Sequence, residues 1–221
     1  MRSYGHYCAL ARGLDIIGDR WILLIVRELL PGPRRYGELL DGLPGIATNL
    51  LADRLRAMQD NGLVARTNDD RYVLTERGEG LRDVLFAVGR WAAPSMGVRR
   101  EGEVFLSRWI VHPVAALFPG VDESRPALTI EVRTEGAKGT DGRDGGDGEP
   151  MTIRSADGRV TVQPGTAAAP DLVLTGPPEA TIGLLAQSLR PDDARAMGLA
   201  ITGDPRLLRR LRPVALGPSR P

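Results

Sequence analysis

Hydrophobic positions recur at helical spacing through most of the first hundred residues of this 221-residue chain. The periodicity predicts a first helix over 8–18 and a second over 20–30. The second is apolar nearly all round, so it should lie buried at the centre of a domain. A short helix is expected over 37–42. A longer helix is expected from Thr48, a favourable N-cap residue, to Asn61.

The following segments alternate between polar and apolar residues, as short strands do. Residues 63–67 and 71–74 lie on either side of Asn68-Asp69-Asp70 and predict a β-hairpin. A long helix is then expected from Thr75 to about Ala93. Helix, short helix, tight turn, helix and hairpin follow one another in the order of a winged helix-turn-helix.

After the first hundred residues the pattern becomes that of a second, α+β domain. Helical spacing over 104–118 comes first, and further helices are expected at 178–189 and 204–212. Ala156-Asp157-Gly158 predicts a hairpin turn, and the Gly- and Asp-rich segment 136–150 predicts a disordered loop. Alternating residues predict strands at 128–133, 151–154, 159–163 and 171–175.

Composition excludes several classes of protein. Hydrophobic residues make up 42% and charged residues 26% of the chain, which is usual for a soluble globular protein. The single cysteine excludes a disulfide framework and a Cys-based zinc site. His6 and His112 lack metal-ligand spacing, so no metal is expected. The longest apolar stretch, 21–26, falls far short of the roughly 20 residues of a membrane span, and no signal peptide is visible. We therefore expect a cytoplasmic protein without a membrane partner.

No set of residues typical of catalysis can be identified in the sequence. There is no Ser-His-Asp or Cys-His arrangement and no phosphate-binding loop. The glycines of 136–148 lack the strand-to-helix context of a dinucleotide-binding motif. We therefore expect neither an enzyme nor a cofactor.

The net charge of +1 hides an asymmetry between the two halves of the chain. Residues 1–100 carry 15 basic and 12 acidic side chains, a net charge of +3, and residues 101–221 carry 14 and 16, a net charge of −2. Every basic residue except Lys138 is arginine, which suits bidentate contacts with phosphate and guanine. The asymmetry permits DNA binding by the first half without requiring it.

The longer predicted helix has the two faces that a DNA-reading helix needs. At about 100° per residue, Leu51, Leu55 and Met58 share one face, which should be buried. Asn49 can bond adenine and Arg56 can bond guanine or phosphate. The residues predicted to bind DNA lie on the opposite face and beside it, and they are Arg34, Arg35, Thr48, Asn49, Ala52, Asp53, Arg56 and Arg71.

Some features of this surface leave its role open. Arg54 lies nearer the buried face, so it is expected either to pair internally or to contact a peripheral phosphate. The hairpin tip, Asp69-Asp70, is acidic. It favours a wing that touches phosphate through Arg71 over one that inserts deeply into the minor groove. Amphipathic helices with one exposed Arg and one exposed Asn are also common outside DNA-binding proteins.

Several segments in chain order carry a resemblance that covers about residues 5–95. They are 8–21, 23–29, Gly32-Pro-Arg-Arg-Tyr36, Gly45-Ile46, Leu50-Leu-Ala-Asp-Arg-Leu-Arg56, Asn61-Gly-Leu-Val64 and Tyr72-Val-Leu-Thr-Glu-Arg-Gly78. Together they resemble the HxlR-type branch of the MarR-like winged-helix regulators. The resemblance implies a dimeric transcriptional regulator whose first helix and post-wing helix form the dimer interface. Two recognition helices would then read a pseudo-palindromic operator.

Cys8 stands where this family often has a cysteine, and the resemblance therefore implies a second role for it. In some relatives such a cysteine senses oxidants or electrophiles, which requires exposure and a lowered thiol pKa. The alternative is a small residue that fills the dimer seam. Because Cys8 is the only cysteine, a disulfide could form only between subunits or with a small thiol.

The second half resembles a sterol-carrier-protein-type domain over about residues 101–216. The resemblance is carried by 156–162, 169–176, 182–186, 198–204 and the leucines at 207, 208 and 211. Such domains lay helices over a mostly antiparallel sheet and enclose an apolar tunnel. The resemblance implies a hydrophobic ligand site, and its candidate lining residues, each also a plain core candidate, are Trp109, Phe118, Leu185, Leu189 and Met197.

Together these features predict an α+β protein with two domains. Residues 1–98 are expected to form a winged helix-turn-helix for DNA binding and dimerisation, and 101–216 a sterol-carrier-like domain with an antiparallel sheet covered by helices. The favoured function is a homodimeric, ligand-responsive transcriptional repressor. One alternative is a lipid or hydrophobic-ligand carrier whose winged helix serves only for dimerisation. The other is a DNA-binding regulator whose sensor is Cys8.

Overall fold

The computed structural model describes residues 3–96, 99–100, 102–119, 121–134 and 148–214. The chain divides into two compact units, residues 1–85 and 86–221. Each unit has an apolar core of its own. The predicted disordered loop, 136–150, lies outside the described residues except for its last three.

The first unit has the elements that the sequence predicts. Strands β1 and β2 pair antiparallel, with Arg66 opposite Tyr72, so the predicted hairpin is confirmed. Helix α6 runs across the boundary between the units and ends in a 3-10 turn, Ala93–Ser95. The bounds in chain order are α1 Ala9–Ile17, α2 Ile22–Leu29, α3 Tyr36–Asp41, α4 Thr48–Asp60, β1 Val64–Arg66, β2 Tyr72–Leu74, α5 Glu76–Glu79 and α6 Arg82–Ala92.

Helix α2 is the central helix of this unit, as its sequence predicts. Ile22, Ile25, Val26 and Leu29 are all essentially inaccessible to solvent. Its apolar circumference allows it to contact several neighbouring elements at once. The core around it draws its other buried side chains from α3, α4, β1, β2 and the turns between them.

Thr48 is not the N-cap of α4, which corrects the prediction. The N-cap is Ala47, whose backbone is extended and whose carbonyl accepts a 3.0 Å hydrogen bond from the Leu51 N–H. Because that bond already closes the first helical turn, Thr48 is the first residue inside the helix. The predicted end is correct, since Asn61 is the C-cap and Gly62 follows with a φ of +67°.

The single long helix predicted from Thr75 to about Ala93 is wrong in its continuity. Two helices are found, α5 and α6, with a turn at Gly80 and Leu81 between them. Gly78 and Gly80 lower the helix propensity there, and the half-buried Leu81 packs against the core. The predicted start is correct, because the Thr75 hydroxyl caps α5 by accepting a hydrogen bond from the Gly78 N–H.

The second unit contains a sheet with helices packed on one of its faces. The strand order is β5-β4-β3-β6-β7, and the pairs are antiparallel except β3 with β6, which run parallel. The predicted antiparallel sheet is therefore mixed. The bounds are a 3-10 helix Ser107–Ile110, α7 Val111–Leu117, β3 Leu128–Thr134, β4 Met151–Ala156, β5 Arg159–Pro164, β6 Leu172–Gly176, α8 Pro178–Leu185, α9 Pro191–Ala196, β7 Ala200–Gly203 and a 3-10 helix Pro205–Arg210.

The sheet has one apolar and one polar face. Leu128, Ile130 and Val132 of β3 are buried on the face that contacts the helices, together with the matching residues of β4 and β6. The opposite face carries threonine, arginine and glutamine side chains from every strand except β7, which contributes Thr202. The strands predicted at 128–133, 151–154, 159–163 and 171–175 are all confirmed.

Several helix predictions in this unit need correction. The helix expected over 104–118 starts at Ser107 and changes from 3-10 to α geometry, because Pro113 has no N–H to donate to the carbonyl of Trp109. The helix expected over 178–189 ends at Leu185, since the backbone turns left-handed at Gln187. The segment 204–212 forms a 3-10 helix. Strand β7 and helix α9 were not predicted, because both are short and weakly patterned.

Gly78 is the position in the first unit where a side chain would do the most damage. A Cβ built there would overlap the Leu63 carbonyl oxygen, which also accepts a hydrogen bond from the Thr75 N–H. Gly78→Ala should therefore lower the free energy of unfolding by about 2 kcal/mol or more, as overpacking does. Denaturant unfolding measures this change.

The matched control is Gly37→Ala on the exposed surface of α3. A Cβ at Gly37 meets no heavy atom within 4 Å. This variant should change the stability by less than about 0.5 kcal/mol. Equal losses in both variants would contradict the close approach at Gly78.

Candidate nucleic-acid interface

Helix α4 separates its residues into a buried and an exposed face. Leu51, Leu55 and Met58 are buried, as the sequence predicts. Thr48, Asn49, Asp53 and Arg56 are exposed, and Ala52 is half-buried. The helix thus presents an amide and a guanidinium group to solvent, which are the groups that read adenine and guanine in a major groove.

The position of α4 is fixed at its two ends by polar contacts. The Tyr36 hydroxyl donates a 2.5 Å hydrogen bond to the Thr48 carbonyl, which joins the start of α3 to the start of α4. In the middle of the helix, Arg54 Nη2 lies 2.7 Å from Asp19 Oδ2, in the turn before α2. The internal pairing of Arg54, one of the two expected roles, is therefore the one the structure shows.

Asp19 acts as a junction between two elements. Its other carboxylate oxygen accepts a 3.0 Å hydrogen bond from the Trp21 N–H. The hydrogen bond from Arg54, followed by the Trp21 bond, holds the pKa of Asp19 below its ordinary value despite partial burial, which acts to raise it. The carboxylate is therefore ionised at neutral pH and anchors α4 against the α1–α2 turn.

The start of α3 is tied to the wing by a backbone contact that the sequence did not reveal. Arg34 and Tyr72 exchange two hydrogen bonds, of 2.9 and 2.7 Å, and form an isolated antiparallel bridge. Glu38 accepts a 2.7 Å hydrogen bond from the Arg35 N–H and caps α3, which lowers the pKa of Glu38. No sequence signal marks this bridge, because it joins residues far apart along the chain.

The wing tip is an ordered cluster of charges. The Thr67 hydroxyl donates a 2.6 Å hydrogen bond to Asp69, whose carboxylate also lies 2.9 Å from Arg71 Nε. The Thr67 bond is the main cause that lowers the pKa of Asp69. Asp70, with a φ of +66°, forms an ion pair of 2.5 Å with Arg66.

We call these residues the reading surface and define it as Arg34, Arg35, the exposed residues of α4 and the wing tip 66–71. Most of its arginines have an acidic partner within the chain. Arg34 lies 3.7 Å from Glu38, and Arg56 lies 2.9 Å from Asp53. Arg35 is exposed, and its side chain makes no ion pair with the described residues. All the residues predicted to bind DNA thus lie on α3, α4 and the wing.

The residues predicted to line a hydrophobic site are distributed over the second unit. Phe118 and Leu185 are buried within its core, and Met197 packs against it. Trp109 contacts Phe105 edge to face with ring centroids 6.2 Å apart, and Leu189 is half-buried beside Gly183. The prediction that they form one ligand site is not tested by these positions.

A different concave region of the second unit is polar. An open depression of about 390 Å³ lies on the β4–β5 hairpin, at the polar face of the sheet. None of its residues was predicted as a site, since charged residues on an exposed strand face are usual. The residues that line it are Arg154, Ala156, Asp157, Arg159 and Thr161.

The remaining sequence-stated candidates can be placed briefly. Cys8 is exposed and is the N-cap residue of α1. Within the described ranges, His, Cys, Asp and Glu form no group of three or more that could hold a metal ion. No helix among the described residues is long and apolar enough to cross a membrane.

The fold and the reading surface define the class of protein as a winged helix-turn-helix. Residues 16–99 match the model of the HxlR-like helix-turn-helix family. An HTH-type transcriptional regulator from Synechocystis sp. is 38% identical over 90 residues, which are 38% of this chain and 67% of that protein. The regulator YodB from Bacillus subtilis is 34% identical over 84 residues, 35% of this chain and 75% of YodB.

The crystal structure of quinone-bound YodB is similar over 38% of this chain and 96% of that chain, with 34% identity and a TM-score of 0.37. The chain belongs to the HxlR-like helix-turn-helix family. These matches lie in its N-terminal hundred residues, and they leave the second unit unassigned.

Asp19→Asn should lower the free energy of unfolding at pH 7 by about 1 to 2 kcal/mol, because Arg54 keeps its charge and loses its charged partner. The folded pKa of Asp19 is depressed, so the wild-type advantage is present above the unfolded pKa. It is lost as the pH falls through the folded value. The difference between wild type and variant should therefore shrink below about pH 4. Urea unfolding at pH 7 and pH 3 measures it.

Asp53→Asn on α4 is the matched control for this prediction. Its ion pair with Arg56 leaves both side chains more than half exposed, at 60% and 69%. Exposed pairs contribute between about 0 and 1 kcal/mol, so this variant should remain close to wild type. An Asp19→Asn effect that stays constant from pH 7 to pH 3 would contradict the role given to the ion pair.

Proposed function

We propose that this protein is a DNA-binding transcriptional repressor that reads a pseudo-palindromic operator as a homodimer. The observation that carries the proposal is the orientation of α4. Its leucines and Met58 anchor it in the core, while Asn49 and Arg56 face solvent between two further groups of arginines. In this proposal residues 1–98 form the DNA-binding and dimerisation domain and 101–216 the ligand-binding domain.

The chemistry of the reading surface suits a duplex. Asn49 can donate to and accept from adenine, and Arg56 can donate two hydrogen bonds to guanine once it leaves Asp53. Arg35 has no competing carboxylate, so it is the group best placed to bind a phosphate. Thr48 lies in the first turn of α4, where N–H groups and the helix dipole attract an anion. At the wing, Arg71 would contact the backbone.

Exposed apolar side chains supply a surface for the homodimer. On α1 and the residues before it, Tyr7 is 98% exposed, and Leu10 and Leu14 follow at helical spacing. On α6, Val88 and Trp91 are exposed, the latter at 74%. Continuous apolar surface of this kind is costly in water and marks an interface. A twofold axis would place two α4 helices on half-sites about 34 Å apart.

Repression requires no surface beyond the DNA contacts. A dimer bound across a promoter blocks polymerase by occupying the duplex. Activation would require a further contact with polymerase, and the reading surface and the apolar stripes are both already assigned.

The double variant Asn49→Ala/Arg56→Ala should lose sequence-selective DNA binding. Fluorescence anisotropy with the duplex upstream of the protein's own gene, and with an operator selected from a random library, measures it at two salt concentrations. Each bidentate base contact contributes about 1 to 3 kcal/mol of discrimination, so selectivity should fall by at least about tenfold. Wild type should bind as two chains for each operator.

Gln163→Ala, on the polar face of the sheet, is the control and should bind as wild type does. If wild type binds the selected and unrelated duplexes equally, the repressor proposal fails. The lipid or hydrophobic-ligand carrier would then be the better explanation, with the winged helix kept for dimerisation.

For the second unit we propose a sterol-carrier-like domain that binds a hydrophobic small molecule as effector. The support is an apolar core enclosed between α7, α8 and one face of a mostly antiparallel sheet. Trp109, Leu189 and Met197 are partly accessible and would border the ligand, with Phe118 and Leu185 behind them. Occupancy would alter the packing of the 75–93 and 104–118 segments and thereby the spacing of the recognition helices.

Oleate titrated into the protein should displace the fluorescent probe anilinonaphthalene sulfonate in a saturable way. Operator affinity should change by at least about fivefold at saturation, the usual scale of allosteric coupling. Met197→Asp should abolish both effects, whereas Thr175→Asp on the polar face should preserve them. Unchanged operator affinity at saturation would reject the effector role. Loss of operator binding with diamide, absent in Cys8→Ser, would identify Cys8 as the sensor instead.

A further inference from the structure

The reading surface is nearly neutral, although arginine dominates it. Its arginines are Arg34, Arg35, Arg56, Arg66 and Arg71, and the carboxylates that face them are Glu38, Asp53, Asp69 and Asp70. Five positive and four negative charges leave a net charge of +1. A duplex that approaches this surface therefore meets almost no net attraction, which is unusual for a surface that binds phosphates.

The carboxylates of the wing are held in place. Asp69 accepts the Thr67 hydroxyl at 2.6 Å while it lies against Arg71, and Asp70 pairs with Arg66 from the other side of the tip. When either arginine turns to a phosphate, its former partner stays within a few ångströms and repels the same phosphate. On α4, Asp53 stands one turn before Arg56 and has the same effect at the base-reading position.

An exposed ion pair contributes little to stability, so these pairs are not needed to hold the fold together. Each cancels a positive charge that would otherwise release a counterion from DNA on binding. Affinity for the phosphate backbone in general is thereby reduced, whatever the sequence. Base contacts by Asn49 and Arg56 are not reduced in the same way, because they depend on the hydrogen-bonding groups of particular bases.

We propose that Asp53, Asp69 and Asp70 are selectivity residues that suppress binding to non-operator DNA. They keep Arg56, Arg71 and Arg66 paired within the chain until base contacts compensate for opening the pairs. This inference rests on the proposed function, since it assumes that the reading surface meets a duplex. It assigns to the acidic wing tip a role in discrimination between sequences.

The test compares two pairs of adjacent aspartates. Asp69→Asn/Asp70→Asn removes the carboxylates of the wing tip and keeps side chains that accept the same hydrogen bonds and tolerate the positive φ at position 70. The control is Asp192→Asn/Asp193→Asn in the second unit, where the two aspartates also pair with arginines, Arg195 and Arg190. Both double variants change the net charge by +2. Asp53→Asn is tested alone.

Binding of the full chain to a random-sequence duplex is measured by anisotropy from about 50 to 200 mM salt. The wing variant should bind at least about tenfold more tightly at the lowest salt, and its plot of log K against log salt should steepen by about 1 to 2, near 0.9 for each phosphate gained. Asp53→Asn should steepen it by about 1. The affinity for the selected operator should rise less, so that selectivity falls.

The possible results separate this proposal from the proposed function. Unchanged binding of the random duplex by the wing variant would overturn the selectivity role, and so would an equal gain in the Asp192/Asp193 control. Operator binding by wild type would then stand by itself. If neither wild type nor any of these variants bound any duplex in a salt-dependent way, both proposals would be overturned.

Discussion

The insertion of Leu51, Leu55 and Met58 into the core around α2 is the constraint on which the reading surface depends. These three side chains fix the rotation of α4 about its own axis, and a helix rotated by one residue would bury Asn49 or Arg56 instead. Polar contacts then fix its position along and across that axis, through the Thr48 carbonyl at its start and through Arg54 in its middle. Apolar burial supplies most of the stability, and the directional contacts supply the geometry.

Electrostatic compensation is the second property of this surface. Arginines are placed where a duplex would pass, yet each wing arginine and Arg56 lies beside a carboxylate. Such pairs are weak in water, so they open at little cost to the fold and still lower the attraction to any polyanion. Affinity and selectivity are in this way separated, the first limited by charge and the second carried by base-reading groups. Arg35, without a carboxylate partner among the described residues, remains available for the backbone.

The second unit follows a different plan, in which a sheet provides the frame. One face of the sheet is covered by helices over a continuous apolar core, and the other presents polar side chains. Glu131 is buried on the polar side, where it accepts hydrogen bonds from Arg133 and from the Ala167 N–H and so fastens the segment before β6 to the sheet. The family matches end near residue 99, so the role of this unit rests on its own architecture.

The sequence by itself determined the order of elements in the first unit, the faces of α4 and the strands of the second unit, because hydrophobic periodicity is a local property. It did not determine the break between α5 and α6, where Gly80 and tertiary packing of Leu81 override a continuous helical pattern. Nor did it determine the parallel pairing of β3 with β6, the bridge between Arg34 and Tyr72 or the choice of Asp19 as partner for Arg54. Those contacts join residues that are distant along the chain, so only the folded structure decides which of many chemically equivalent partners meet.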